Sequence, residues 1–86
     1  MNYNLVYTRR AEKDIKKLDS SIKSRIGNTL LKLRDNPLLY SDKLSDPALG
    51  TYKFRIRDYR VIFDIEGNDV VILRIGHRRE IYKRFR

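Results

Sequence analysis

Between Thr51 and Ile75 the sequence TYKFRIRDYRVIFDIEGNDVVILRI alternates in character over three runs, and the breaks between runs are too short for anything but hairpins. Residues 51–57, 59–66 and 69–75 read as strands, because alternating apolar residues line one face of an extended chain. Glu66-Gly67-Asn68-Asp69 is a tight turn, with Gly67 and Asn68 both tolerant of positive φ. Strands joined this closely form an antiparallel meander. That meander limits what the remaining residues can do. They must cover one of its faces.

The first half supplies the cover. Residues 2–7 alternate, with Tyr3, Leu5 and Tyr7 on one side, and predict a short strand. Thr8 then offers an oxygen to cap a helix whose apolar stripe is Ala11, Ile15 and Leu18. Asp19, Ser20 or Ser21 caps a second helix with the stripe Ile22, Ile26, Leu30 and Leu33, which ends at Asn36-Pro37. Gly27, inside that stripe, predicts a close helix–helix approach. Two helices with so short a break form an antiparallel hairpin. Residues 37–50, with both prolines, read as a surface loop pinned by Leu38, Leu39 and Leu44. Residues 79–86 read as a last helical turn or a frayed tail. The expected fold is α+β: an N-terminal strand, an antiparallel helix hairpin, a three-stranded antiparallel meander with the helices on one face, and a short C-terminal tail or helix. The length, 86 residues, fits one domain spanning 1–86.

The other sheet face poses the functional question. Tyr52, Phe54 and Ile56, then Tyr59, Val61, Phe63 and Ile65, then Val71, Leu73 and Ile75 are expected beneath the helices. That leaves Lys53, Arg55, Arg57, Arg60 and Arg74 outward, beside Ile62, Asp64, Val70 and Ile72. A merely solvated face would mix signs, since like charges opposite one another destabilise a sheet. Cations with only Asp64 nearby point to an anion, and the planar fork of arginine suits phosphate oxygens. The formal charge of +9 agrees with a polyanionic partner. The two stretches 1–50 and 51–86 carry +4 and +5, so the charge is not a basic tail.

Other classes fall away. With no cysteine and one histidine, and with its carboxylates scattered, the chain has no metal-site spacing. No apolar run approaches the roughly 20 residues that span a bilayer. MNYNLVYTRR reaches charge too soon for a signal peptide, so a cytoplasmic location is expected, with no membrane partner and no small-molecule cofactor. The stretch GHRREIY, 76–82, follows the last strand and holds His77, the only histidine, at the edge of the basic face. If the tail is helical, Arg78 and Tyr82 share one of its faces, and Ile81 and Phe85 the packing face.

YKFRIRDYRVIF and LRIGHRREIY together resemble the RelE/ParE superfamily of toxins, over essentially the whole chain, and the pair DYRVIF with GHRREIY resembles its RelE-like branch. The resemblance implies a type II toxin: a ribosome-dependent endoribonuclease that cuts messenger RNA in the A site without a metal and is neutralised by a cognate antitoxin. By position, Lys53 and Arg55 match the basic pair of the first meander strand, Arg60 the arginine of the Tyr-Arg step, Arg78 the arginine after the last strand, and Tyr82 the tyrosine near the C-terminus. Arg57 stands where many relatives carry glycine. The expected RNA contacts are Lys53, Arg55, Arg57, Arg60, Arg74, Arg78, Arg79 and Lys83.

Cleavage by a neighbouring 2′-hydroxyl leaves a 2′,3′-cyclic phosphate and a free 5′-hydroxyl. It needs a proton acceptor, stabilisation of charge on phosphorus, and protonation of the leaving oxygen. Arg60 and Arg78 are assigned the second role. Lys53, His77 or Glu80 is the proton acceptor, and Tyr82 orients, stacks or transfers a proton. Two other readings stay open: a ParE-like inhibitor of DNA gyrase, and an RNA- or ribosome-binding module without catalysis.

Overall fold

The computed structural model describes residues 2–44 and 50–81. Its elements run β1 (Asn4–Tyr7), α1 (Arg9–Lys16), α2 (Ser20–Asp35), β2 (Ser41–Lys43), β3 (Tyr52–Ile56), β4 (Tyr59–Glu66), β5 (Asp69–His77) and α3 (Arg78–Ile81). They build one five-stranded sheet in the order β1-β5-β4-β3-β2. Strands β2 to β5 pair antiparallel, as the short connections require, and β1 lies parallel to β5.

Both long helices start where their caps predict. Thr8 Oγ1 accepts from Ala11 N at 3.1 Å. Asp19 Oδ1 accepts from the backbone N–H groups of Ser21 and Ile22 and from the Ser21 hydroxyl, and these bonds hold its carboxyl below its usual range. The apolar stripes of α1 and α2 meet the sheet in one core of Ala11, Ile26, Leu30 and Leu33 against Phe54, Ile56, Val61, Phe63, Val70, Ile72 and Ile75. Leu18, Ile15 and Ile22 complete it from the side.

Several expectations change. Residues 41–43 form an edge strand rather than loop, and the segment before it is not pinned by leucines: Leu38 and Leu39 are exposed, and Pro37 is the buried residue. Gly27 is exposed, and a Cβ built there meets nothing within 4 Å, so no close helix contact explains it. In the Gly67-Asn68 turn only Gly67 has positive φ, 60°. Within β5 the faces are reversed over its first half. The two-residue turn pairs Ile65 with Val70 and Phe63 with Ile72, which puts Val70 and Ile72 in the core. Leu73 then adds one residue to β5 between the pairs Phe63–Ile72 and Ile62–Arg74, and this bulge returns Ile75 to the core opposite Val61. Because side chains alternate with period two, one extra residue swaps the faces.

The face away from the helices is also less open than its alternation implies. Ile62 is fully buried there. Gly50, with φ 149°, lies over it so closely that a Cβ would stand 2.6 Å from Ile62 Cγ2 and 2.9 Å from Leu73 Cδ1. Only glycine allows both this backbone conformation and this approach. Asp64 accepts from Thr51 N at 2.7 Å and holds the same segment down.

Arg57 is not on a strand. It occupies the β3–β4 turn with φ 55°, the left-handed region that disfavours a side chain. Replacing Arg57 by glycine is expected to raise stability by about 1 kcal/mol, or roughly 4–8 °C in melting temperature. A thermal melt of the two proteins side by side measures it. An unchanged or lower midpoint would show that the arginine side chain compensates for the strain.

Candidate nucleic-acid interface

On the face opposite the helices, β3 contributes Lys53 and Arg55 and β4 contributes Arg60. Arg55 and Arg60 are direct cross-strand partners, so two guanidinium groups share one rung of the sheet. Like charges so placed cost stability, and the arrangement persists in spite of that cost. Arg60 is braced: its Nη1 donates to the carbonyls of Arg57 and Tyr59, both at 2.9 Å. The same turn receives the start of α3. Arg78 N donates to Asp58 O at 2.8 Å, and Arg78 Nε stands 3.8 Å from Asp58 Oδ1. The Arg57–Asp58 turn thus gathers Arg57, Arg60 and Arg78 at one end of the sheet, with Arg55 on the adjoining rung. Arg79 is exposed on α3.

The rest of the sequence-derived set is placed differently. Arg74, expected on the open face, is 4% exposed and bound to α1. Its Nε donates to Asp14 Oδ2 at 2.7 Å and its Nη2 to Asp14 Oδ1 at 3.2 Å. The reason is topological. Strand β1 ends opposite Ile72, and α1 then runs beside the uncovered edge of β5. Thr8 N and Oγ1 donate to the Ile72 and Leu73 carbonyls, and Asp14 accepts from Ile75 N at 3.0 Å. The bulged Arg74 joins that edge. The open face of the sheet therefore carries Lys53, Arg55 and Arg60, with Asp64 and also Asp42, which pairs with Lys53 and stands 3.8 Å from Arg55. It is less basic than the alternation alone implied.

His77 and Glu80 are separated from the arginines of that face. His77 pairs with Tyr59 and shares its side of the sheet, the helix side, whereas Arg60 pairs with Gly76 on the other. The His77 ring meets Tyr59 edge-on at 5.5 Å, and its Nδ1 accepts from Arg79 N at 3.2 Å, so in the neutral ring the hydrogen sits on Nε2. Glu80, Tyr59, Lys17 and Leu18 join His77 around a cleft of about 210 Å³ beside the end of β5, with Asp14 and Arg74 in its wall. Tyr82 and Lys83 lie outside the described residues.

Two members of this region, Asp14 and Lys17, escaped the sequence reading. Asp14 did leave a signal. It lies three residues after Ala11 and four before Leu18, within the apolar stripe of α1, where a carboxylate requires a buried partner.

The fold and the gathered arginines make a small basic α+β domain. The sequence matches the family described as ParE toxin of type II toxin-antitoxin system, parDE, over residues 5–82. Toxin RelG of Mycobacterium tuberculosis is 33% identical across 98% of this chain and 100% of its own length. Among solved structures, the toxin–antitoxin complex RelBE2 of M. tuberculosis contains a chain superposing with TM-score 0.82 at 30% identity, over 91% of this chain and 100% of that one. A mutant of toxin RelE from E. coli in the free state superposes at 0.77 with 25% identity, over 96% and 93%. The chain belongs to the ParE toxin family, within the RelE/ParE superfamily, and is a RelE-like toxin of the type II toxin–antitoxin class.

Proposed function

We propose that this toxin is an endoribonuclease that cleaves messenger RNA in the ribosomal A site without a metal, and so arrests translation in the cytoplasm. The observation that carries the reading is the placement of Arg55 and Arg60 on one rung of the open face, with Arg78 anchored to the adjoining Arg57–Asp58 turn. Three guanidinium groups at one end of a sheet suit a phosphate that gains charge during in-line attack by the neighbouring 2′-hydroxyl. Arg60, braced by two carbonyls, is oriented before the RNA arrives. Lys53 shares the open face with Arg55 and is the favoured proton acceptor. His77 and Glu80 face the cleft on the helix side and are less suited to that role. Tyr82 keeps the role of orienting, stacking or transferring a proton. The solved RelBE2 relative is a toxin–antitoxin complex, and a cognate antitoxin is proposed as the protein partner here.

Toeprinting on ribosomes paused on a defined messenger tests this. New 5′ ends at the A-site codon are expected with the intact toxin and ribosomes together, and not with Arg78→Ala. Ends produced without ribosomes, or none with them, would reject the reading. A second reading, inhibition of DNA gyrase, draws on the ParE family match and on the near-neutral sheet, since residues 36–77 carry six Lys/Arg against six Asp/Glu. It predicts blocked supercoiling that survives Arg60→Ala and Arg78→Ala. Silence in both assays leaves a non-catalytic binding module.

A further inference from the structure

With residues 36–77 neutral, the net charge of +9 resides elsewhere. Residues 9–35, the two long helices, hold nine Lys/Arg against four Asp/Glu, and residues 78–86 hold five against one. On α1 the excess is ordered. Arg9, Lys13 and Lys16 follow one another at spacings of four and three, and Lys17 lies four residues beyond Lys13, so the four form a stripe on the side away from Ala11 and Leu18. All four are exposed, and among the described residues none of them forms an ion pair. Helix stability does not account for the whole stripe. Lys13 and Lys16 lie in the last turn, where the peptide dipole favours cations, but like charges four apart repel, and Arg9 stands at the N-terminus, where the dipole disfavours a cation. The acids of this helix do not cancel the stripe. Asp14 is buried against Arg74, which leaves Glu12 as the exposed carboxylate of α1.

We infer that the outer face of α1 is a second binding surface, taking the phosphate backbone of double-stranded RNA through Arg9, Lys13, Lys16 and Lys17. Four features select this occupant. The exposed positions of α1 and its C-cap, residues 9, 10, 12, 13, 16 and 17, are all charged, so the face lacks the apolar centre that a protein partner buries, and lysine is depleted in protein interfaces. It also has no aromatic residue on which unpaired bases would stack, so a duplex recognised by its phosphates fits better than a single strand. The stripe spans roughly 12 Å of helix, while a duplex presents about one charge per 1.7 Å of its axis, so several phosphates lie within reach. Finally, Lys17 lines the cleft that also holds His77 and Glu80, so the stripe is continuous with the end of β5 from which α3 and Arg78 start. The choice of RNA over DNA rests on the ribosomal reading above. The binding itself does not depend on cleavage.

The test is fluorescence anisotropy with a short bare RNA duplex, the same duplex in DNA, and a polyglutamate peptide, each across a salt series. No ribosome is needed, so failure here is separable from failure of the cleavage reading. The variant Arg9→Gln/Lys13→Gln/Lys16→Gln/Lys17→Gln keeps good helix formers. It is expected to weaken RNA-duplex binding at least tenfold at physiological salt and to flatten the slope of log K against log salt by roughly three to four. Its melting temperature should stay close to that of the wild type, since the lost last-turn cations and the relieved repulsion act in opposite directions. The sheet-face variant Arg55→Gln/Arg60→Gln should flatten the slope by less than the helix variant does. Wild-type binding of the RNA duplex by the helix variant, transfer of the loss to the sheet variant, or binding of the DNA duplex or of polyglutamate alone would each overturn the inference.

Discussion

Replacing Asp14 by alanine is expected to destabilise the toxin by about 3–5 kcal/mol, a large fraction of the stability of a domain this size. The carboxylate accepts three hydrogen bonds, two from Arg74 and one from Ile75 N. Removing it leaves a charge 4% exposed with its main counter-charge gone, and orphans a backbone N–H at the edge of β5. Asp14→Asn should fall between, since an amide oxygen still accepts from Ile75 N but does not balance the guanidinium. Pairing Asp14→Leu with Arg74→Met separates the charge from the packing, because an apolar pair of similar volume often matches a buried ion pair. Urea unfolding of the wild type and the three variants measures these differences. A loss under 1 kcal/mol for the alanine variant would mean that Arg74 finds water or another acceptor when Asp14 is gone. The pair matters beyond stability because β5 leads directly into Arg78. Loosening its edge should also raise amide exchange at Ile75 and Gly76.

Arg60→Ala is expected to lower ribosome-dependent cleavage by about 10²–10³-fold, the usual scale for removing one donor that meets charge developing in a transition state. The loss should fall on kcat, since Arg60 is held by the carbonyls of Arg57 and Tyr59 before RNA binds and needs little reordering. Stability should shift by no more than about 1 kcal/mol, because the two lost bonds join half-exposed or exposed groups. Arg55→Ala differs in kind. Its partner Asp42 is exposed at 3.8 Å, a weak contact, and its removal should act on affinity and salt dependence. Primer extension at saturating and limiting toxin separates the two effects. Equal losses of affinity from both variants would reduce Arg60 to a binding contact.

Comparison of the chain with its fold shows where local rules suffice. Thr8 and Asp19 cap their helices as their oxygens predict, and the stripes of α1 and α2 enter the core where their spacing places them. The Gly67 turn and the strands around it are likewise local consequences, because a hairpin of two residues leaves little choice. Lys53, Arg55 and Arg60 reach one face because a strand alternates. Gathering them with Arg78 required more, namely a turn at Arg57 that binds two segments far apart in sequence. The glycine expected in relatives at position 57 marked that turn, and the structure shows the left-handed backbone that explains it.

Arg57 was displaced by its own two-residue turn, but other assignments that went astray depend on contacts between separate segments. The bulge at Leu73 returns Ile75 to the core after Val70 and Ile72 and carries Arg74 to the edge beside α1, and no periodicity in VVILRI announces an unpaired residue. Gly50 closes the centre of the outer face because Ile62 and Leu73 leave an apolar hollow that must be covered. His77 turns toward Tyr59 because the register pairs the two. Alternation and capping operate within a few residues, so the linear chain specified the elements other than the edge strand β2, their order and a positively charged protein. Register, edge coverage and the fate of each buried charge are settled only when distant segments meet. That meeting separates Arg60 and Arg78 at the turn from His77 in the cleft, and it takes Arg74 out of the exposed set altogether.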